Sequence, residues 1–291
     1  MSGEGRLTPE RLRELRRAAI AVRRHLVDAV HHAGAGHLGG PLSAADILVA
    51  LYFELLRIDP QNPRDPQRDR FILSKGHSSI GLYATLAMRG YFAVEELRTF
   101  DSLDSRLQGH PDMTVLPGID MSSGSLGQGL SPGIGMALAA RLQGQDYHTW
   151  VLLGDGDSQE GQIWEAAAVA SRYRLGNLTA ILDWNGLQQY GWATDSGYSD
   201  LARQPAQENP VERWRAFGWA TIEIDGHDLA DIVDAGHRAR ATERPTIVVA
   251  RTTKGRGISF MENDFNWHAK PPSEEELQAA LGELAAAEAA L

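Results

Sequence analysis

The sequence predicts an α/β fold of three layers, in which a mostly parallel β-sheet lies between two layers of helices. Apolar segments of strand length alternate with helical segments along almost the whole chain, a pattern typical of a parallel sheet covered on both faces. The length of 291 residues and the apolar fraction of 43 % allow a sizeable core. The sequence contains no linker, low-complexity segment or internal repeat, which predicts a single domain over residues 1–291.

The first elements are predicted to be helical. An amphipathic helix should run from about Pro9 to His32, because its apolar residues recur at three- and four-residue steps: Leu12, Leu15, Ala19, Val22, Leu26 and Val30. The segment 34–41 is too rich in glycine for a helix or a strand, so we expect a loop there. Ser43 is predicted to be the N-cap of a second helix.

The later elements follow from the same patterns. Strands are predicted over 71–74, 219–224 and 246–250, and helices over 78–89, 94–100, from 130 to about 142, and over 228–241. The polar segments 188–209 and 251–272 are predicted to be long loops, the first of them ordered, as functional loops often are. Ser273 and Glu276 form a capping-box pattern that predicts a final helix reaching the C-terminus.

The centre of the chain carries the most informative pattern. The apolar segment 150–153 leads into a Gly-Asp-Gly sequence centred on Asp155, then a helical segment, a second apolar segment over 178–182, and Asn185. In a parallel β–α–β unit both loops fall at the carboxyl edge of the sheet, so Asp155 and Asn185 are predicted to lie close together. Two oxygen-bearing side chains there suit a hard cation such as Mg2+ or Ca2+.

Composition excludes several classes of function. The formal net charge of -10 argues against a nucleic-acid-binding protein and against a protein that binds membrane surfaces, because both need a basic field. The chain has no cysteine, so disulfides, Cys-ligated zinc, iron–sulfur clusters and thiol nucleophiles are excluded. The N-terminal residues lack the apolar core of a secretory signal, and the sequence has no segment of transmembrane length. A cytoplasmic location is expected.

The glycine-rich segment 122–129 has the character of an anion site. Glycines let backbone N–H groups approach a ligand, and the helix that follows offers the positive end of its dipole. The segment contains no Lys or Arg, so a bound diphosphate is expected to depend on the helix dipole and on a metal. The alternative is that these glycines serve close packing of a helix on a strand. A phosphate-binding P-loop sequence is not found, which disfavours a nucleotide triphosphatase.

Four histidines lie in separate loops beside glycine or proline or after tryptophan: His37, His77, His110 and His268. Each alone is more often a structural residue, but four in such loops favour binding of sugar hydroxyls or proton transfer. They lack the i, i+4 spacing of a zinc-binding helix, which disfavours a mononuclear zinc site. A structural role is expected for five of the other histidines, namely His31, His32, His148, His227 and His237.

These motifs together resemble the thiamine-diphosphate enzymes, and specifically the N-terminal, diphosphate-binding half of transketolases. The resemblance covers nearly the whole chain in order. It rests on GHLGGPLS (36–43), LSKGHSS (73–79), GHPD (109–112), GSLGQGLSPGIGMALA (124–139), GDG (154–156) through Asn185, EGQIWEA (160–166), TTKGRGISFME (252–262) and WHAK (267–270). The chain has GHLGG where the family more often has GHPGG, WHAK where it has WHGK, and Trp184-Asn185 where the superfamily has Asn-Asn.

The resemblance implies a thiamine-diphosphate-binding fold and a role for each candidate residue. Asp155, Asn185 and the main-chain carbonyl of Leu187 would bind the divalent metal, Mg2+ or Ca2+. Backbone atoms of Gly127 and Gly156 would line the diphosphate.

The same resemblance gives the histidines distinct roles. His77 would lie near the diphosphate and thiazolium of the cofactor, and His110 would hydrogen-bond the terminal hydroxyl of the donor sugar. His37 and His268 would contact substrate oxygens and relay protons. Glu160 and Glu165 would lie at a subunit interface, although on the residues alone they read as a solvated helix face.

The resemblance also implies a partner, because the family's aminopyrimidine-binding domain is not among the matched motifs. It predicts the N-terminal subunit of a split transketolase, which would pair with a separately encoded C-terminal subunit in an α2β2 complex and act on sugars or sugar phosphates. Two alternatives stay open. One is the α subunit of a 2-oxo-acid dehydrogenase, which also carries a GDG motif. The other is a non-catalytic binding module with the same fold.

Overall fold

A computed structural model of the protein describes residues 7–188 and 209–291. The described residues form a five-stranded sheet in the order β1-β2-β3-β5-β4, and every pair of neighbouring strands is parallel. The strands are β1 (Arg70–Leu73), β2 (Thr149–Gly154), β3 (Leu178–Trp184), β4 (Ala220–Asp225) and β5 (Thr246–Arg251). Because all of them run in one direction, their carboxyl ends meet at one edge of the sheet.

Helices cover both faces of the sheet, as predicted. They are α1 (Pro9–Ala33), α2 (Gly39–Ala50), α3 (Ser79–Met88), α4 (Leu130–Leu142), α5 (Gly161–Arg172), α6 (Pro210–Ala216), α7 (Leu229–Arg240) and α8 (Glu274–Ala289). One apolar core lies between the sheet and α1, α2, α3, α7 and α8, and a second lies between the sheet and α4, α5 and α6. The three-layer α/β prediction is therefore confirmed.

The start of α2 was predicted wrongly. The helix begins at Gly39, inside the segment expected to be a loop, and Ser43 lies within the helix instead of capping it. Two glycines open the helix because its N-terminal turn packs too closely for side chains: a Cβ on Gly40 would lie 2.9 Å from Ser78 Oγ. Pro41 is tolerated because N–H groups of the first turn have no partner inside the helix.

The remaining boundaries lie close to the predicted ones. Both hydrogen bonds of the predicted capping box, between Ser273 and Glu276, are formed at the start of α8. The segment 94–99 is a 3-10 helix, and shorter 3-10 turns cover 76–78, 157–159 and 265–268. The predicted ordered loop 188–209 lies almost entirely outside the described residues. Within the described ranges, no helix is long and apolar enough to cross a membrane.

Candidate active site

A cavity of about 400 Å³ lies at the carboxyl edge of the sheet, where the loops after β1, β2, β3 and β5 meet. Its wall includes the predicted cation residues Asp155, Asn185 and Leu187. It also includes Gly156 and the four histidines predicted from separate loops, which are His37, His77, His110 and His268. Chain segments that are far apart in sequence therefore converge on one site, as expected for the carboxyl edge of a parallel sheet.

Asp155 joins the two central loops. Its Oδ2 accepts hydrogen bonds from the backbone N–H groups of Asn185, at 2.9 Å, and Gly186, at 3.0 Å, so the predicted proximity is confirmed. Its Oδ1 is buried and has no hydrogen-bond partner among the described residues. Burial, and then the nearby Asp183 carboxylate, raise the pKa of Asp155 to about 7 despite the two N–H donors. A buried carboxylate oxygen without a partner is suited to a bound cation.

The residues around Asp155 suit a metal such as Mg2+ that also takes ligands from a bound molecule. They suit less well a metal that is coordinated by protein side chains only. Asn185 Oδ1 accepts the N–H of Leu187 at 3.1 Å, which leaves it a second lone pair for a metal. The described part of the chain contains no group of three or more His, Cys, Asp and Glu placed to hold a metal ion. Mg2+ is commonly bound by one or two carboxylates together with phosphate oxygens of a ligand. This donor set therefore fits a metal that arrives with a diphosphate.

The glycine-rich segment lines part of the cavity and also serves close packing. Gly124 and Leu126 line the cavity just before α4 begins. Gly129 serves close packing, because a Cβ there would lie 2.4 Å from Ser74 Cβ. Gly127 has a left-handed backbone (φ 79°), and its N–H donates to the buried Asp157. Gly127 follows the lining residue Leu126 but does not itself line the cavity. Its contact with a diphosphate therefore stays a prediction.

Two lysines in the cavity were not predicted from the sequence. Lys75 forms an ion pair with Asp183, and both side chains are at most 3 % exposed. Lys254 Nζ donates to the carbonyl of Gln188 at 2.7 Å. Cationic side chains thus reach the cavity from other loops, although the segment 122–129 has none, and how a diphosphate would be held stays a prediction. Both lysines follow within four residues of the end of a predicted strand, and that position could have identified them.

The four histidines form one cluster. The centroid of the His37 ring lies 5.2 Å from that of His77, 5.2 Å from that of His268 and 6.3 Å from that of His110. The rings of His77 and His268 are 5.1 Å apart. His268 Nδ1 also lies 2.8 Å from Lys254 Nζ. The arrangement provides several ring nitrogens within one small volume, as binding of a polyhydroxylated ligand requires.

Burial keeps three of the clustered histidines, His37, His77 and His268, neutral near pH 7. It lowers the pKa of His37 to about 4, with further lowering from His110 and Lys254. Burial and then Lys254 lower the pKa of His268 to about 3. Burial and then Lys75 also hold the pKa of His77 well below its ordinary value. A neutral imidazole has one N–H donor and one acceptor nitrogen. In His268 the acceptor Nδ1 is occupied by Lys254, which leaves Nε2 for a ligand.

The imidazole signals of His37 and His268 are expected not to titrate between about pH 5 and 8 in the cofactor-free chain. The folded chain binds fewer protons than the unfolded chain between these lowered pKa values and the ordinary 6.5. Stability should therefore fall as the pH drops through that window. Nitrogen-15 NMR, with signals assigned through His37→Asn and His268→Asn, measures the titration. A midpoint near the ordinary value in either ring would show that burial does not control it.

The sequence matches the family model described as "Transketolase, thiamine diphosphate binding domain" over residues 15–287. The chain belongs to this family. The resemblance inferred from the motifs is thereby confirmed, and the thiamine-diphosphate-binding region of the family extends over nearly the whole sequence. The Gly-Asp-Gly loop and the histidine loops all lie within the matched range.

Relatives within the transketolase family are of two lengths. One of the subunits of the apulose-4-phosphate transketolase of Phocaeicola vulgatus is 42 % identical, and the match covers 90 % of this chain and 90 % of that one. The 6-deoxy-6-sulfo-D-fructose transketolase subunit SqwG of a Clostridium species is also 42 % identical, over 93 % of this chain and 96 % of that one. Human transketolase is 40 % identical, but the match covers only 40 % of its length.

Solved transketolases have the same fold. The Pichia stipitis enzyme, in complex with sedoheptulose 7-phosphate, aligns with a TM-score of 0.84 at 33 % identity over 93 % of this chain. The Campylobacter jejuni enzyme aligns with a TM-score of 0.83 at 33 % identity over 94 % of this chain. The match covers 41 % and 43 % of those two proteins, so the chain spans less than half of the solved transketolases.

Glu160 and Glu165 differ in their relation to the cavity. Glu160 lines the cavity and is the N-cap residue of α5. It packs closely on Gly127, where an added Cβ would lie 2.4 Å from the Cβ of Glu160. Glu165 lies on the exposed face of α5. Both side chains are exposed, which agrees with the solvated-face interpretation for this chain by itself. Their position at a subunit interface stays a prediction.

Proposed function

We propose that this chain is the N-terminal subunit of a two-subunit transketolase that uses thiamine diphosphate. The reaction would transfer a two-carbon ketol unit from a ketose, or its phosphate, to an aldose, or its phosphate. The observation that carries the proposal is a single cavity that combines the unpaired Asp155 oxygen with four clustered histidines. Relatives of the same length that are named transketolase subunits support it further.

The metal and the diphosphate would be held by the central loops. Asp155, Asn185 and the carbonyl of Leu187 would coordinate Mg2+, or Ca2+ in its place. Backbone groups of Gly127 and Gly156 would lie against the diphosphate. Asp155 and Asn185 are joined by a hydrogen bond next to the unpaired Asp155 oxygen, which a metal would bind.

Lys254 would add positive charge beside the diphosphate. Burial, and then Lys75, lower the pKa of Lys254 to about 8, so its ammonium is still mostly charged at neutral pH. A charged Lys254 donates to His268 Nδ1 and so leaves the His268 proton on Nε2. That tautomer presents an N–H donor to a substrate oxygen.

Bound thiamine diphosphate supplies an electron sink for cleaving the carbon–carbon bond next to a ketose carbonyl. The chain's own residues would bind and orient the sugar and move its protons. His110 would hydrogen-bond the terminal hydroxyl of the donor. His37 and His268, both neutral at pH 7, would contact substrate oxygens, His268 as a donor through Nε2 and His37 as either donor or acceptor. His77 would lie near the diphosphate and thiazolium of the cofactor.

The proposal includes a partner. A separately encoded transketolase C-terminal subunit would hold the other end of the cofactor, and the two chains would assemble as α2β2. Relatives that are themselves named as single subunits of a transketolase support the presence of a second subunit. We further propose that residues 1–291 form one domain and that the complex works in the cytoplasm.

A donor panel distinguishes this function from its alternatives. The chain is mixed with the C-terminal transketolase subunit of the same organism, thiamine diphosphate and Mg2+. Ketose phosphates and pyruvate are then compared as donors. We expect turnover of at least one ketose phosphate with an aldose acceptor, and none of pyruvate. Turnover of pyruvate alone would favour the α subunit of a 2-oxo-acid dehydrogenase. Absence of Mg2+-dependent cofactor binding to the mixture would favour a non-catalytic module.

A further inference from the structure

The segment Thr253–Arg256 is a tight turn that carries Lys254 into the cavity. The carbonyl of Thr253 accepts the N–H of Arg256 at 3.2 Å, which closes the turn with Lys254 at its second position. The Lys254 side chain then packs against Gly39, where a Cβ would come within 2.8 Å of its Cε. The position of the ammonium group therefore depends on where the turn is held.

Three residues outside the cavity hold both ends of this turn. His227 Nε2 accepts the backbone N–H of Thr253 at 2.8 Å. At the other end, Arg23 Nε donates to the carbonyl of Arg256 at 3.0 Å. Asp46 connects these two side chains: its carboxylate accepts from both Arg23 terminal nitrogens, at 3.0 and 2.6 Å, and from His227 Nδ1 at 2.8 Å. We call Arg23, Asp46 and His227 the buried triad.

The buried triad joins three elements to the turn. Arg23 lies on α1, Asp46 on α2, and His227 between β4 and α7. The Arg23 and Asp46 side chains are 6 % and 9 % exposed, and that of His227 is 10 % exposed. Burial opposes ionisation of Asp46, but Arg23 and His227 outweigh it and lower its pKa to about 2. The carboxylate is therefore charged throughout the neutral range, and the ion pair with Arg23 persists there.

The hydrogen bonds fix the tautomer of His227. Because the Thr253 N–H is a donor, Nε2 must be the acceptor nitrogen, and the proton on Nδ1 then points to Asp46. Both ring nitrogens are thus engaged. Among the described residues that line the cavity, none belongs to the buried triad. His227 is therefore connected to Lys254 through the backbone of the turn.

We infer that His227 is a positioning residue for the cofactor site, and that the buried triad sets the position of the Lys254 ammonium by holding both ends of its turn. The inference rests on the proposed function in one respect, namely that the ligand beside Lys254 is thiamine diphosphate. The sequence predicted only a structural role for His227, and the hydrogen bonds extend that role to the active site.

Two substitutions separate the two hydrogen bonds of His227. In His227→Gln, the side-chain oxygen can occupy the place of Nε2 and still accept from Thr253. In His227→Asn, the amide can occupy the place of Nδ1 and still donate to Asp46, but the Thr253 N–H is left without its acceptor. If the turn is what matters, Asn should be the more harmful change. If pairing Asp46 is what matters, Gln should be the more harmful change.

The first readout needs no cofactor. Amide hydrogen exchange over residues 253–257 is measured on the full cofactor-free chain, and His227→Asn should exchange roughly 10-fold faster there while His227→Gln stays near wild type. The second readout is the thiamine diphosphate Kd of the chain reconstituted with the C-terminal subunit. His227→Asn should weaken binding about 10-fold, and this loss should vanish in a Lys254→Ala background.

The outcomes are distinguishable. Equal exchange in both variants, or faster exchange in His227→Gln, would overturn the holding of the turn. Faster exchange in His227→Asn with unchanged cofactor affinity, or a loss that persists without Lys254, would overturn the positioning role. If the wild-type pair binds no thiamine diphosphate, the proposed function fails, and the exchange measurement still decides whether the buried triad holds the turn.

Discussion

Replacing Asp155 by asparagine is expected to weaken Mg2+-dependent binding of thiamine diphosphate by roughly 100-fold or more. The asparagine oxygen can still accept the N–H groups of Asn185 and Gly186, which Asp155 Oδ2 accepts now. The unpaired Oδ1 and the negative charge are lost, and an amide nitrogen cannot coordinate a metal in their place. The reconstituted complex is titrated with the cofactor at saturating Mg2+, and tryptophan fluorescence reports binding.

The same variant should be more stable than the wild-type chain without cofactor. A pKa raised to about 7 in the folded chain, from 3.8, means that stability is lost as the pH rises through this range. A shift of this size corresponds to a cost on the order of 4 kcal/mol above neutral pH. Asp155→Asn removes the ionisation and should abolish this pH dependence in urea unfolding.

A matched control makes the same chemical change elsewhere. Asp234→Asn lies on the exposed face of α7, where the Asp234 side chain is 68 % exposed. It should change neither cofactor affinity nor stability beyond about 0.5 kcal/mol. Cofactor affinity in Asp155→Asn equal to that of this control would mean that the metal does not bind at Asp155.

Replacing Lys75 by methionine is expected to destabilise the chain by about 3–5 kcal/mol. The change leaves Asp183 fully buried without its ion-pair partner, although Ser43 and Thr252 still donate to it. Burial favours the neutral acid, but Lys75 and these donors hold the pKa of Asp183 below its ordinary value. Without Lys75 that pKa should rise, so the loss of stability should shrink as the pH falls and Asp183 takes up a proton.

The double variant Lys75→Met with Asp183→Asn should recover most of the lost stability, because no uncompensated charge is left in the core. Lys270→Met is the control for an exposed pair: its ion pair with Glu276 is 46 % and 30 % exposed and should contribute at most about 1 kcal/mol. Urea unfolding at pH 8 and pH 5 measures all three. A Lys75→Met loss as small as the control, or one that does not depend on pH, contradicts this view of the ion pair.

The cation residues could be predicted because local patterns determine them. Asp155 and Asn185 each follow an apolar segment, and parallel strands bring consecutive loops of this kind to one edge. The parallel orientation of the strands thus follows from the alternation of strands and helices. The four histidines were identified individually by their loops, but only the family resemblance implied that they share one site.

The residues that were missed depend on contacts between distant parts of the chain. Lys75 is paired with Asp183, which is 108 residues away, and the start of α2 is set by packing against Ser78 and Lys254. His227 binds Asp46 across 181 residues. Helix propensity and loop composition describe only neighbours in sequence, so they assigned Gly39 to a loop and gave His227 no link to the site.

The most direct test is a reconstitution titration of ketol transfer. In the proposed complex, this chain supplies the half of a shared active site that binds the metal and the diphosphate and contains the four histidines. The chain is titrated against a fixed amount of the C-terminal subunit, with thiamine diphosphate, Mg2+ and a ketose phosphate that the donor panel has identified. We predict negligible transfer by either chain alone, transfer that saturates near equal amounts, and loss of transfer with Asp155→Asn. Full activity of this chain alone, or undiminished activity of the Asp155→Asn mixture, would contradict the claim.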